Sequence, residues 1–147
     1  MMMLTKNFSA AELGVEAANE CVRKSAQALC DQVLEPVREK YGRAVRVHCG
    51  YRDPEHNRAV GGKAKSWHLF SGTEAAADFD VEGESLRMVF DWLRLKSGLP
   101  FDKVILESSG GVPRCIHVQM DCGAAPRRLA YAGSTGAGTV YVPEVVA

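Results

Sequence analysis

Ala75-Ala76-Ala77-Asp78-Phe79-Asp80-Val81, then Ser85 to Lys96, then Phe101-Asp102-Lys103-Val104-Ile105-Leu106-Glu107, and last Cys115-Ile116-His117-Val118-Gln119-Met120 make up the stretch that decides the fold. The first block reads as a strand. The second carries Leu86, Val89, Phe90 and Leu93 at helical steps and ends at Gly98 and Pro100. The last two read as strands of a hairpin joined by Ser108-Ser109-Gly110-Gly111-Val112-Pro113.

Upstream, Ala44-Val45-Arg46-Val47-His48-Cys49 alternates and is rich in β-branched residues, so it is another strand. Before it, Val22, Ala26, Leu29, Val33, Val37 and Tyr41 recur every three or four residues, which predicts one amphipathic helix from about Asn19 to Lys40. Pro36 predicts a kink or break near Leu34, and Gly42 a stop. Ser9 and Glu12, with Phe8 set to staple onto Leu13, predict a helix start. Asp53 and Pro54 cap a short helix that Gly61-Gly62 ends, opening a polar loop from Lys63 to Ser66. From Gly123 onward lies a Gly/Ala-rich tail with a last apolar stretch at Val140 to Val142. Helices first, then strands interrupted by one helix, indicate an α+β domain over residues 1–122, with residues 123–147 as an extension packed on it or trailing from it.

The 147 residues (16.0 kDa) suit one globular domain, and 46% hydrophobic with 24% charged residues argue against wholesale disorder. Eighteen basic side chains balance eighteen acidic ones, so neither nucleic acid nor an anionic membrane is an expected partner. No apolar run approaches the ~20 residues of a membrane span. Met1-Met2-Met3-Leu4-Thr5-Lys6-Asn7 meets polar residues too early for a secretory signal, so cytoplasmic synthesis is expected. Cys21, Cys30, Cys49, Cys115 and Cys122 are odd in number and contain no Cys-x-x-Cys pair; they read as reduced, buried small hydrophobes, with Cys49 and Cys115 in the sheet.

Of four histidines, two sit where a site can be built. His68 follows the polar loop just before the strand of Asp78 and Asp80, and His117 lies mid-strand where mere packing would ask for an apolar residue. Two imidazoles and a carboxylate give zinc three ligands and leave a fourth position for water. By spacing alone the signal is weak, and three unrelated surface or core residues are the commoner explanation.

Thr5-Lys6-Asn7-Phe8, Val33-Leu34-Glu35-Pro36-Val37-Arg38, the block from Gly50-Tyr51-Arg52 to Gly61-Gly62, Ser66-Trp67-His68, Ala76-Ala77-Asp78-Phe79 and Ile116-His117-Val118 resemble, in order, segments of the zinc D-alanyl-D-alanine carboxypeptidase family. Its relatives include D-Ala-D-Ala dipeptidases and phage L-alanyl-D-glutamate endopeptidases. The resemblance covers about residues 5 to 120. It implies the small α+β fold, with helices packed on an antiparallel sheet, of the lysostaphin-type peptidases and the hedgehog signalling domain. It also implies Zn2+ held by His68, Asp78 and His117, and a substrate-facing Arg52. The alternative for Arg52 is a turn residue paired with Asp53 or Glu55. Ser66 matches a family serine that binds substrate or orients the first histidine; Trp67 replaces a common glutamine and either lines the cleft or packs.

Two departures stand out. His68 and Asp78 are ten apart, a few residues more than in relatives, which makes Leu69 to Glu74 a lengthened turn and leaves Asp80 as a competitor for the ligand position. The family's catalytic acid, three residues before the last histidine, falls on Arg114, which cannot accept a proton. Glu107 is the remaining candidate base, reachable from His117 diagonally across the hairpin; otherwise it is a solvated strand end. The leading expectation is a zinc peptidase acting on peptidoglycan stem peptides, as a phage lysin or virion component. The runner-up is a structural, metal-binding module among virion proteins, and a third reading is a bacterial cytoplasmic dipeptidase.

Overall fold

The computed structural model describes residues 1–134 and 140–147. The long N-terminal helix forms in three pieces. Helix α1 (Glu20–Leu29) is capped by the Asn19 side chain, which accepts from Val22 N. A π-helical turn, Cys30–Leu34, leads into α2 (Glu35–Tyr41). Pro36 therefore does not break the helix: it enters the first turn of α2, where a missing N–H is tolerated, and the widened turn before it absorbs the mismatch. Gly42 ends it in the left-handed region at φ 62°.

Strand β1 (Val45–Cys49) leads to α3 (Pro54–Ala59), capped by Asp53. Then come β2 (Glu74–Val81), α4 (Leu86–Leu95), β3 (Lys103–Ser109), β4 (Val112–Asp121), β5 (Leu129–Ser134) and β6 (Tyr141–Glu144). The six strands form one sheet in the order β1-β2-β4-β3-β5-β6, antiparallel except for the parallel pair β3/β5. The expected α+β class, a sheet with helices packed on it, is what the chain adopts.

Strand alternation splits the sheet into two faces. Ala75, Ala77, Phe79 and Val81 of β2, Val104 and Leu106 of β3, and Ile116, Val118 and Met120 of β4 join the buried core with Leu29, Val33, Val37, Phe90 and Leu93 from the helices. The intervening residues, Asp78, His117, Gln119, Lys103, Ile105 and Glu107, face away from the helices and line a cleft. Burying one face thus fixes which side chains the other face presents.

Three local expectations are corrected. Ser9 and Glu12 do exchange capping hydrogen bonds (Glu12 N to Ser9 Oγ 3.1 Å, Ser9 N to Glu12 Oε1 3.0 Å), but only a turn follows, because Gly14 at φ 72° stops it. The hairpin loop shrinks to Gly110-Gly111, both at positive φ, as a tight turn matching strand twist requires; Val112 and Pro113 belong to β4. Of the cysteines only Cys30 is fully buried; Cys49 and Cys115 are half-buried, and Cys21 and Cys122 are exposed because they sit on the outer face of α1 and past the end of β4. The tail supplies β5 and β6, with residues 135–139 outside the described part.

Candidate metal and peptidase site

The lengthened turn after His68 does not push the site apart. Trp67–Leu69 form a single 3-10 turn, Phe70 turns back at φ 51° and is buried with its ring edge-on to Tyr51, and only Ser71 to Thr73 bulge into solvent. Register then aligns a row across the sheet: Cys49 opposite Asp78, Asp78 opposite His117, His117 opposite Ile105, and Ile105 opposite Tyr131.

In this row Asp78 bridges both histidines. Its Oδ2 lies 3.3 Å from His68 Nε2 and its Oδ1 3.0 Å from His117 Nδ1, and the two rings stand edge to face at 5.2 Å. Asp80, on the same face, is occupied elsewhere, by Arg46 (2.6 Å) and His48 (2.6 Å). The ligand atoms of Cys49, His68 and Asp78 also lie within 4.8 Å of one another.

Hydrogen bonding decides which nitrogens are free. His68 Nδ1 donates to the Gly50 carbonyl at 2.7 Å, so its lone pair is on Nε2, the edge facing Asp78 and His117; Cys49 Sγ sits 3.6 Å from the other edge. Gly50 itself must lack a side chain, since a Cβ there would meet the Leu13 carbonyl oxygen at 2.4 Å. At His117, Nε2 contacts Gln119 Oε1 (2.8 Å), while Gln119 Nε2 donates to Asp102 Oδ2 (2.8 Å), and Arg127 clamps Asp102 through two nitrogens (2.6 and 2.8 Å). A carboxylate only accepts, so the chain orients the amide and makes His117 Nε2 the donor. A neutral ring at either position would turn a lone pair toward a carboxylate oxygen, a contact that only a proton or a cation between them makes favourable.

The electrostatics agree. Burial opposes charging His68, yet Asp78 and Cys49 outweigh it and push its pKa up to about 10. Burial likewise opposes ionising Asp78, but His117 and His68 hold its carboxyl well below the usual carboxylate range. The set of one carboxylate and two imidazole nitrogens suits a tetrahedral divalent ion with one position left open.

Glu107 lies one same-face step along β3 from Ile105, the residue opposite His117, and so diagonal to the histidine. Burial raises its carboxyl above the usual range, against the pull of His117 and of the Tyr141 hydroxyl, which donates at 3.2 Å. Tyr141 reaches it over Gly133, where a Cβ would come within 2.5 Å of the Tyr141 ring. Burial and Glu107 push the Tyr141 hydroxyl up to about 12. Arg52, Ser66 and Trp67 line the same cleft of about 600 Å³. The Arg52 backbone N–H donates to the His68 carbonyl (2.7 Å), and its buried Nε has no hydrogen-bond partner among the described residues. Of the two pairing alternatives, Asp53 caps α3 through His56 N, and neither it nor Glu55 forms an ion pair with Arg52 among the described residues. The Ser66 hydroxyl accepts from His68 N at 3.2 Å, and Arg114 is exposed on the hairpin, away from the cleft.

The family model for Peptidase M15 matches residues 3–119. The chain belongs to the Peptidase M15 family. No curated protein gives a significant match. Membership makes the chain a metallopeptidase by family, and M15 peptidases are zinc-dependent, which the donor set of His68, Asp78 and His117 fits. The M15 match ends at residue 119, so Tyr131 and Tyr141 come from outside it. Sequence reasoning missed Gln119, Lys103, Cys49 and both tyrosines. Counting by twos from His117 and Glu107 reaches Gln119 and Lys103, and the strand pattern of residues 44–49 reaches Cys49. No local signal announces that β5 pairs with β3.

Proposed function

We propose that the chain is a zinc peptidase cleaving peptidoglycan stem peptides at a D-Ala-D-Ala or L-Ala-D-Glu bond. The observation that carries this is Asp78 bridging His68 Nε2 and His117 Nδ1 in a cleft that also holds Glu107. Zinc, when bound by His68, Asp78 and His117, supplies a Lewis acid and acidifies a water molecule. Glu107 takes the proton of the attacking water and returns it to the leaving amine. Arg52 steadies the carbonyl oxygen as charge develops, or grips a peptide carboxylate. The resemblance to a family that includes phage endopeptidases is what supports the setting we propose, a lysin or virion-borne enzyme.

A second reading, a metal-binding structural module, rests on Arg114 replacing the family's acid: proton transfer then falls on Glu107 alone. Metal content tests the site. One zinc per chain in wild type and Cys49→Ala, and none in His117→Ala, is the expected result. Zinc kept by His117→Ala and lost by Cys49→Ala would move the centre to the Cys49 edge of His68.

A further inference from the structure

The cleft continues past the metal site in the direction opposite to Glu107. On β3, Lys103 and Glu107 flank Ile105, each one same-face step away, roughly 7 Å. Lys103 is half-buried, its ammonium 5.7 Å from the Tyr131 ring centroid. No carboxylate among the described residues lies within ion-pair distance of it. The adjacent Asp102 points its oxygens at Arg127 and Gln119. Across the cleft, the loop after α3 brings Lys63 to the same cavity; burial, Arg127 and, less, Lys63 disfavour the charge on Lys103, against the pull of Asp102. Lys103 and Lys63 thus face one cavity with neither ammonium in an ion pair among the described residues, a setting that favours an incoming anion.

We propose that Lys103 and Lys63 bind a carboxylate of the peptide substrate, one to two residues from the scissile carbonyl, and so select peptides carrying a free carboxylate there. The spacing follows from the chain itself: about 7 Å from the His117 row to Lys103 spans one to two residues of extended peptide. This rests on the peptidase reading above. The carboxylate has two possible sources in a stem peptide, the C-terminal group and the free carboxylate of a glutamyl residue.

Three peptides of one stem sequence separate them: unmodified, amidated only at the C-terminus, and amidated only at the glutamyl carboxylate. NMR titration of the zinc-loaded full chain follows binding and any cleavage product in the same tube. One of the two amidations is expected to weaken binding about 10- to 100-fold, as loss of a charge-assisted contact does. Lys103→Met should bring that ratio within about 3-fold while zinc content stays at one per chain, and Lys103→Arg should keep it. Equal binding of all three peptides, or a ratio that survives Lys103→Met combined with Lys63→Met, overturns the subsite. A preserved preference without any cleavage leaves the subsite standing and overturns the peptidase reading instead.

Discussion

Gln119 Oε1 lies 2.8 Å from His117 Nε2, and the other end of the same amide is held by Asp102. The ring nitrogen that faces Asp78 is therefore chosen by a residue outside the set of His68, Asp78 and His117. Gln119→Leu keeps the size of the side chain and removes the acceptor. Zinc affinity, read by competition with a chelating dye, is expected to fall about 10- to 100-fold, with the thermal midpoint of the metal-free protein changed far less.

Glu107→Gln keeps shape and removes the basic oxygen, so zinc content should hold while hydrolysis falls at least about 100-fold. Tyr141→Phe tests the same carboxylate differently. The hydroxyl favours ionised Glu107, so its loss raises that pKa further and should shift the acid limb of kcat/KM to higher pH. An unmoved limb would remove Glu107 as the titrating base.

Most of this architecture is written locally. The Asn19, Asp53 and Ser85 caps, the Gly42 stop and the β-branched run at Val45 each act within a few residues, and each element forms where those signals stand. That Asp78 and His117 share one face follows from strand alternation, while His68, on the 3-10 turn before β2, is marked by the family motif alone. Other features are not local. Whether Asp78 or Asp80 meets the histidines depends on Arg46 and His48 of the neighbouring strand claiming Asp80. Tyr131 and Tyr141 enter the cleft only because β5 lies parallel to β3, a pairing set by packing after the chain has turned at Arg128 (φ 53°).

Gly50 couples fold to site. Gly50→Ala forces a Cβ against the Leu13 carbonyl, with backbone on both sides and little room to yield. Stability should drop by about 1–3 kcal/mol in urea unfolding. Because the Gly50 carbonyl holds His68 Nδ1, zinc affinity should drop with it, which an equally destabilising core substitution far from the cleft should not reproduce.

Asp102 gives a pH signature. Burial opposes its ionisation, but Arg127 and Gln119 hold its carboxyl below the ordinary value of 3.8. A lowered pKa stabilises the fold fully above the unfolded value, and the gain is lost as pH falls through the folded one. The stability margin of wild type over Asp102→Asn should therefore be constant above about pH 5 and narrow as pH falls below about 4. A margin independent of pH would contradict the ion pair with Arg127.

On the function proposed above, His68, Asp78 and His117 arm a peptidase for cell-wall peptides. Mass spectrometry of purified peptidoglycan digested with the zinc-loaded protein tests it most directly. Fragments with new termini at a single stem-peptide bond are expected, absent after chelation, restored by zinc, and absent with His117→Ala. Intact stem peptides, from protein that carries one zinc per chain, would contradict it.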